Sequence, residues 1–300
     1  MDLERKMGFR VDVPVSRFKD KAIVFEGVDT LDLAATLDCG QAFRWRQLDD
    51  GSFAAVVAGD AVKVRLDADR LEIRGAPKEK AKFWAEYFAL DIDYAAIHET
   101  LSSDATMRTC MAFSPGIRVL RQEFFETLIS FIISQNNNIT RIKGIVERLC
   151  SCFGKPVVNN HEDVTAHAFP TPSALASLSA DDLAQLRAGY RVPGILDAAR
   201  RVASGELDEA ELRAMSTAEA RTRLLEVYGV GPKIADCVLL FGLGRFESFP
   251  VDVWIRRAME TLFPSGLPDC TMNISGIAQQ YIFHYARNCD NIGQNKHNND

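Results

Sequence analysis

The chain has 300 residues, of which 47% are hydrophobic and 25% charged, a composition typical of a folded globular protein rather than a disordered one. Its formal net charge of −6 argues against a protein that binds polyanions through a general excess of basic residues. No segment approaches the roughly eighteen consecutive apolar residues that a membrane span needs, so we expect no membrane association.

The first part of the chain, residues 1–113, shows patterns typical of an antiparallel sheet with helices. Short runs alternate between apolar and polar residues, at residues 43–47, 53–57, 62–66 and 71–74. Residues 78–89 and 94–101 have helical spacing, and we expect both helices to pack against the sheet. The sequence therefore predicts an α+β domain at this end.

The second part, residues 114–289, is predicted to be an all-α domain, because apolar residues recur at helical spacing between short turns with Gly or Pro. Residues 124–133 are apolar on nearly every face, and residues 139–150 are amphipathic. Residues 155–172 lack periodic apolar positions and are predicted to form a surface loop. The Asn-rich residues 290–300 are predicted to be a disordered tail.

A glycine-rich turn lies between two helical patterns of the second domain and contains Gly229, Gly231 and Lys233. Such a turn is either an ordinary corner between helices or a helix-hairpin-helix motif. Glycine permits positive φ angles and leaves backbone N–H groups accessible, so the turn can bind a DNA phosphate as helix N-termini do.

A carboxylate, Asp252, follows Lys233 after nineteen residues and directly precedes an apolar and basic helical run. Its minimal role is to cap that helix by accepting backbone N–H groups. A carboxylate at a helix start beside a groove can also stabilise a cation, and the two roles are compatible. The pair indicates lysine-based chemistry on nucleic acid, with Lys233 and Asp252 as the catalytic residues.

These residues give the chain a resemblance to a family of DNA repair enzymes. Residues 225–257 resemble the helix-hairpin-helix, Gly-Pro-Asp superfamily of base-excision glycosylases, in which a lysine here marks the bifunctional branch. The resemblance narrows to the 8-oxoguanine DNA glycosylases at residues 39–46 (Cys-Gly-Gln-Ala-Phe-Arg-Trp-Arg), 134–142 (Ser-Gln-Asn-Asn-Asn-Ile-Thr-Arg-Ile) and 186–191 (Leu-Arg-Ala-Gly-Tyr-Arg). It covers residues 25–288 in total.

The resemblance implies a site for the damaged base. Gly40 would direct its carbonyl at the N7 hydrogen that distinguishes 8-oxoguanine from guanine. Cys237 and Phe283 would cover the two faces of the base, and Gln279 would bind its Watson–Crick edge. Judged from the residues alone, Gly40 is a turn glycine near a strand and Phe283 is a core residue of the last helix, so these interpretations stay open.

The resemblance also implies contacts with the rest of the duplex. Asn136, Arg141 and Arg191 would bind the cytosine that loses its partner, and Tyr190 would wedge into the opened base pair. From the residues alone, the asparagines at 136–138 are equally a helix stop and the next N-cap. Tyr190 is equally a partly buried aromatic with its hydroxyl in water.

The DNA backbone would be held at Gly229, Gly231 and Trp254. Many relatives carry a histidine at the last position, so a phosphate contact through imidazole is not expected here, and the indole offers one N–H donor. This departure predicts an altered affinity for DNA rather than a different reaction.

The sequence thus predicts a bifunctional DNA glycosylase and lyase that excises 8-oxoguanine opposite cytosine from duplex DNA through a lysine Schiff base. A glycosylase of the same fold for another damaged base and a non-catalytic helix-hairpin-helix protein are the alternatives. We expect no cofactor, no metal and no iron–sulfur cluster, since the C-terminal region lacks a four-cysteine cluster and nucleotide-binding glycine loops are absent. We also expect a monomer, located in the cytoplasm or, in a bacterium, at the nucleoid.

Overall fold

The structure, a computed structural model, describes residues 8–28, 30–158 and 166–289. The predicted tail at residues 290–300 and part of the predicted loop at residues 155–172 lie outside the described residues. No helix in the described part of the chain is long and apolar enough to cross a membrane.

An antiparallel sheet of six strands forms the N-terminal part, as the sequence predicted. The strands lie in the order β1, β2, β6, β5, β4, β3. Their bounds are β1 (Ser16–Lys19), β2 (Ala22–Phe25), β3 (Arg46–Gln47), β4 (Phe53–Val57), β5 (Asp60–Asp67) and β6 (Arg70–Arg74). Strands β4 to β6 match three predicted runs, whereas β1 and β2 precede the region where the sequence predicted strands.

One face of the sheet is buried by a row of apolar residues that runs across four strands. Ile23 pairs with Ile73, Ile73 with Val64, and Val64 with Phe53. All four are buried, as is Trp84 of the helix that covers them. Because side chains alternate between faces, a slip of one residue in any strand would expose part of this row, so burial specifies the register.

The predicted strand at residues 43–47 is shorter in the structure. Only Arg46–Gln47 pairs with β4. Phe43 belongs to the helical core, where its ring lies edge-on to Phe131 with the centroids 5.6 Å apart, and Trp45 packs in the sheet core. The two rings pack in different cores, so residues 43–45 are not part of the sheet and the strand begins only at Arg46.

The helices begin in the N-terminal part and then dominate the chain, which confirms the predicted α+β and all-α arrangement. The first are α1 (Leu33–Leu37), α2 (Ala81–Tyr87), α3 (Tyr94–Leu101), α4 (Ala105–Phe113), α5 (Phe124–Ile133) and α6 (Ile139–Phe153). The others are α7 (Pro172–Ala176), α8 (Val192–Ser204), α9 (Glu209–Ala214), α10 (Thr217–Leu225), α11 (Pro232–Cys237), α12 (Val253–Leu262) and α13 (Ser275–Asn288). A two-stranded ribbon of β7 (Pro156–Val157) and β8 (Ala166–His167) interrupts the predicted loop.

The molecule has two apolar cores, and helix α3 belongs to a different core from the one that the sequence predicted. Helix α2 covers the sheet as predicted, but Tyr94, Ile97 and Leu101 of α3 are buried in the helical core. The His98 ring nitrogen Nε2 lies 2.7 Å from the Tyr281 hydroxyl of α13. The expectation that residues 94–101 pack against the sheet is therefore wrong, because the apolar face of α3 packs against other helices.

Helix α13 packs closely against its neighbours at Gly276. A Cβ atom there would lie 2.5 Å from both Leu240 Cδ1 and the Ser248 carbonyl oxygen. The Gly276 N–H also donates to the Phe246 carbonyl at 2.7 Å, which fixes the backbone at this distance. A larger residue would force α13, which carries Gln279 and Phe283, away from the core.

We predict that Gly276→Ala destabilises the protein by about 2 kcal/mol or more, because overpacking forces a backbone shift. The matched control is Gly144→Ala in α6, where the nearest atom to a new Cβ is Arg148 Nη1 at 3.5 Å. That substitution should stabilise the helix by about 0.5–1 kcal/mol. Urea unfolding measures both changes, and equal effects of the two variants would contradict the steric argument.

Candidate active site

A cavity of about 810 Å³ lies where the α5–α6 turn, the α10–α11 hairpin and the first turn of α12 meet the exposed side of α13. Most of the predicted site residues line it, namely Gly40, Asn136, Tyr190, Gly229, Gly231, Lys233, Asp252, Trp254 and Phe283. Tertiary packing thus brings together residues from both parts of the chain.

The hairpin has the backbone geometry that the glycines predict. Gly229 has a φ of +78°, and the Val230 N–H donates to the Val227 carbonyl at 3.0 Å. Gly231 precedes Pro232, the first residue of α11. Within the described residues, the N–H groups of Gly229 and Gly231 donate to no acceptor, so both are available to an anion at the cavity.

The Lys233 amine is held between three groups at one end of the cavity. Its Nζ lies 3.4 Å from Ser134 Oγ and 5.0 Å from the centroid of the Phe131 ring, so α5 and its C-cap residue supply two of the contacts. The third is the Cys237 side chain, one turn further along α11, whose thiol has its pKa raised by burial and in part lowered again by the nearby ammonium. The half-buried amine therefore faces the cavity from a defined position.

Cys237 lies beneath Lys233 rather than on the cavity wall. Burial raises the pKa of its thiol to about 11, and the nearby Lys233 ammonium only partly offsets this effect. The thiol is consequently neutral at physiological pH, which suits an apolar contact with a base better than a nucleophile.

Asp252 caps α12, as the sequence predicted. Its Oδ1 accepts a hydrogen bond from the Ile255 N–H at 2.8 Å, and Asp252 as a whole is only partly buried at the cavity edge. Capping occupies one oxygen, so the other retains lone pairs toward the cavity.

The three consecutive asparagines have different roles. Asn137 donates from Nδ2 to the Ile133 carbonyl at 3.1 Å, which closes the end of α5, and Asn138 Oδ1 accepts the Arg141 N–H at 2.9 Å, which caps α6. The Asn136 amide forms no hydrogen bond with any described residue, is exposed, and has a φ of +43°. Only Asn136 therefore presents its amide to a ligand.

Arg191 is buried, and its guanidinium is bonded to backbone carbonyls. Nε donates to Gln135 O at 2.9 Å, and Nη2 donates to Gln135 O and to Asn136 O. Nη1 donates to Ala188 O at 3.1 Å. In this conformation Arg191 supports the turn that carries Asn136 rather than projecting into the cavity.

Tyr190 stands beside Arg191 and is 61% exposed. Its hydroxyl donates to Gln135 O at 3.1 Å, and the Arg191 guanidinium carbon lies 4.4 Å from its ring centroid. The ring thus stands at the cavity mouth with one face backed by a cation.

Two of the four residues proposed to bind the base, Gly40 and Phe283, line the opposite wall, whereas the buried Gln279 does not line the cavity. Gly40 has a φ of +96°, and a Cβ there would lie 3.0 Å from Ile139 Cδ1, so both conformation and space favour glycine. Phe283 lines the cavity from α13. Gln279, one turn earlier, is only 4% exposed and donates from Nε2 to the Pro250 carbonyl at 3.1 Å.

Other residues differ from the expectation or were missed. Arg141 is exposed but does not line the cavity, and Trp254 lies against Arg257, whose guanidinium carbon is 5.5 Å from its ring. The sequence did not single out Ser134 or Arg287, which both line the cavity. Arg287 lies four residues after Phe283, a helical spacing that would have placed it on the same face.

Comparison with known proteins agrees with this geometry. Residues 23–128 match the 8-oxoguanine DNA glycosylase, N-terminal domain, and residues 129–270 match the HhH-GPD superfamily of base excision DNA repair proteins. The probable N-glycosylase/DNA lyase of Methanothermobacter thermautotrophicus is 31% identical, over 87% of this chain and 95% of that protein. The chain belongs to the 8-oxoguanine DNA glycosylase family.

Two solved structures have the same overall fold as this protein. MBOgg1, in complex with a low affinity DNA ligand, is 39% identical with a TM-score of 0.87, over 91% of this chain and 98% of that one. The Clostridium acetobutylicum 8-oxoguanine glycosylase/lyase, in complex with double-stranded DNA containing cytosine opposite to 8-oxoG, is 33% identical with a TM-score of 0.86, over 92% and 99%.

Within the described ranges, no group of three or more His, Cys, Asp or Glu side chains is placed to hold a metal ion.

The described titratable side chains near Lys233 are buried singly and do not form a cluster. One carboxyl with a raised pKa is Asp236, three residues after Lys233 on α11, which forms an ion pair with Arg221 of α10.

Burial raises the pKa of Asp236 to about 6, and Arg221 only partly counteracts this effect. The folded state thus favours the protonated carboxyl relative to the unfolded chain, whose aspartates titrate near pH 3.9. The stabilisation from Asp236 is complete below the unfolded pKa and is lost as the pH rises through about 6.

We therefore predict that Asp236→Asn, which is neutral at every pH, gains thermal stability relative to the parent protein between pH 4.5 and 7. The melting temperatures of both proteins at several pH values measure this change. A constant difference across the range would show that the carboxyl titrates normally in the folded protein.

Proposed function

We propose that this protein excises 8-oxoguanine opposite cytosine from duplex DNA and then cleaves the strand through a Schiff base on Lys233. One observation carries the proposal. The half-buried amine of Lys233 lies in a cavity of about 810 Å³ that also contains Asp252 and the free amides of the hairpin. An amine, a carboxylate and a phosphate site in one cavity fit amine attack on a sugar carbon in DNA.

The hairpin binds the DNA backbone. With a net charge of −6, the protein cannot rely on its overall charge to attract DNA. The amides of Gly229 and Gly231 carry partial positive charge that no carboxylate of the described residues neutralises, and Arg287 adds a full charge at the same cavity. Trp254 contributes the N–H of its indole to a neighbouring phosphate.

The damaged nucleotide must leave the helix, since the Lys233 amine lies inside the cavity and cannot reach a stacked nucleotide. The exposed ring of Tyr190 enters the opened base pair, where stacking offsets part of the lost base stacking. The free amide of Asn136 and the guanidinium of Arg141 bind the cytosine left behind. Arg191 contributes by holding the Asn136 backbone in place.

The base is held by Gly40, Cys237, Gln279 and Phe283. The Gly40 carbonyl accepts the N7 hydrogen of 8-oxoguanine and repels the N7 lone pair of guanine. The Phe283 ring contacts one face of the base from the cavity wall, and the other face lies toward the neutral Cys237 thiol beneath Lys233. Gln279 binds the Watson–Crick edge through its amide.

Lys233 attacks in its neutral form, because an ammonium has no free lone pair. The Nζ lone pair forms a bond to C1′ of the everted nucleotide as the glycosidic C–N bond breaks, and the departing base takes that electron pair and a proton. Ser134 Oγ, 3.4 Å from Nζ, accepts an N–H of the amine and orients it. The Asp252 carboxylate stabilises the positive charge that develops on the sugar.

Strand cleavage follows from the same covalent adduct. Opening of the sugar gives a Schiff base between Nζ and C1′, which acidifies the hydrogen on C2′. Loss of that proton forms the C2′–C3′ double bond and expels the 3′ phosphate, so the strand is cut 3′ to the lesion. Water then releases the product and restores Lys233.

We predict that borohydride traps a covalent protein–DNA adduct on a duplex with one 8-oxoguanine opposite cytosine, and that Lys233→Gln abolishes it. Glutamine keeps a polar side chain of similar length but has no nucleophilic amine. Denaturing gel electrophoresis of labelled duplex measures the adduct. Lys82→Gln, at an 84% exposed lysine of α2, is the matched control and should keep full trapping.

Full strand cleavage by Lys233→Gln would refute the lysine mechanism. If the parent protein released base without an adduct, the glycosylase step would stand and the Schiff base would not. If it bound DNA but released no 8-oxoguanine, the substrate would be a different base.

We also predict that Asp252→Asn lowers the rate of base excision by about a hundredfold while changing stability by only a few tenths of a kcal/mol. Asparagine caps a helix as well as aspartate, so this change removes the charge and keeps the cap on Ile255. Single-turnover excision rates and urea unfolding give the two quantities. An excision rate within threefold of the parent value would assign Asp252 to capping alone.

A further inference from the structure

A chain of buried hydrogen bonds connects the segment before Gly40 with the loop before Asp252. Its members are contributed by both parts of the protein: Cys39, Gln280, Gln279 and the carbonyl of Pro250. The three side chains are each less than 5% exposed, so water does not replace these bonds. The chain passes through the residue that we assign to the Watson–Crick edge of the base.

The amide of Gln279 is bonded at both of its ends. Its Oε1 accepts from Gln280 Nε2 at 2.6 Å, and its Nε2 donates to the Pro250 carbonyl at 3.1 Å. If the amide were turned by 180°, its oxygen would face the Pro250 oxygen and its NH₂ would face the Gln280 NH₂. Both bonds would become repulsive contacts, so one orientation of Gln279 is strongly preferred.

Cys39 contributes to the orientation of Gln280. The Cys39 Sγ lies 3.6 Å from Gln280 Oε1 and 3.4 Å from the Thr36 carbonyl oxygen, so these two acceptors share its single hydrogen. Burial raises the pKa of this thiol to about 11, so it carries its hydrogen at neutral pH and can donate it to an oxygen. A turned Gln280 would direct its oxygen at the oxygen of Gln279, two acceptors in a buried position.

The orientation of Gln279 decides which base edge it can pair with. After its two internal bonds, the amide retains one N–H on Nε2 and one lone pair on Oε1. A guanine-type edge offers the oxygen O6 beside the donor N1–H, whereas an adenine-type edge offers the donor N6–H beside the acceptor N1. These patterns are opposite, so an amide that binds one in a given orientation must turn by 180° to bind the other.

We propose that Gln280 is a positioning residue that fixes the Gln279 amide in one orientation and thereby favours the guanine-type edge of 8-oxoguanine over the adenine-type edge of 8-oxoadenine. This inference rests on the proposed function, because it assigns the Watson–Crick edge of 8-oxoguanine to Gln279. Cys39 strengthens the same orientation from the N-terminal part of the chain.

The test compares two lesions in one duplex, 8-oxoguanine and 8-oxoadenine, each opposite cytosine. Gln280→Leu removes both the donor and the acceptor and keeps a side chain of similar volume. We expect its single-turnover kcat/KM for 8-oxoguanine to fall roughly three- to tenfold, as the loss of one hydrogen bond implies. The value for 8-oxoadenine should stay constant or rise, so that the ratio of the two falls.

Controls separate this role from a general loss of structure. Cleavage at a preformed abasic site needs no base contact, and for Gln280→Leu it should fall less than excision of 8-oxoguanine. Gln185→Leu makes the same chemical change at an exposed position and should leave the ratio unaltered. A parallel loss on both lesions and on the abasic site, with the ratio unchanged, would overturn the inference.

A second pair of variants provides an independent test if Gln280→Leu does not fold. Cys39→Ala removes the donor to Gln280 and should shift the ratio in the same direction by a smaller factor, whereas Cys39→Ser restores a donor and should return the ratio to the parent value. Equal ratios in both variants would contradict the proposal. Failure of the parent protein to excise 8-oxoguanine would instead refute the proposed function.

Discussion

The buried guanidinium of Arg191 at the end of α5 is the interaction on which the cavity depends. The turn that follows α5 has backbone carbonyls without a helical partner, and Arg191 donates to those of Gln135 and Asn136. It thereby fixes a turn that has the left-handed Asn136 at its centre and Ser134 at its start. Since Ser134 contacts Lys233, the same guanidinium connects the Asn136 turn with the proposed nucleophile.

Charge in this protein is arranged locally rather than overall. The net charge of −6 would repel a polyanion, yet the amides of Gly229 and Gly231, the amine of Lys233 and the guanidinium of Arg287 converge on one cavity. Fixed backbone dipoles contribute to this arrangement without the desolvation and entropy costs of further long cationic side chains. Binding can then be selective for a distorted duplex, since the positive groups lie inside a concave site.

Several site features follow from short-range rules and could be read from the sequence. The positive φ of Gly229, the cap at Asp252 and the common helical face of Lys233 and Cys237 depend on residues within a few positions of each other. Residue patterns also identified strands β4, β5 and β6. The strand at residues 43–47 was mispredicted because alternation alone does not reveal that Phe43 and Trp45 pack in different cores.

By itself, the sequence determined the chemical groups of the site, the two-part architecture and the local geometry of turns and caps, because these depend on backbone sterics and on neighbouring side chains. Only the tertiary structure decided which distant groups meet. Ser134 and Lys233 are 99 positions apart, Gln135 and Arg191 are 56, and Cys39 and Gln280 are 241. Such contacts depend on which faces of the helices are buried together, and neither periodicity nor spacing along the chain contains that information.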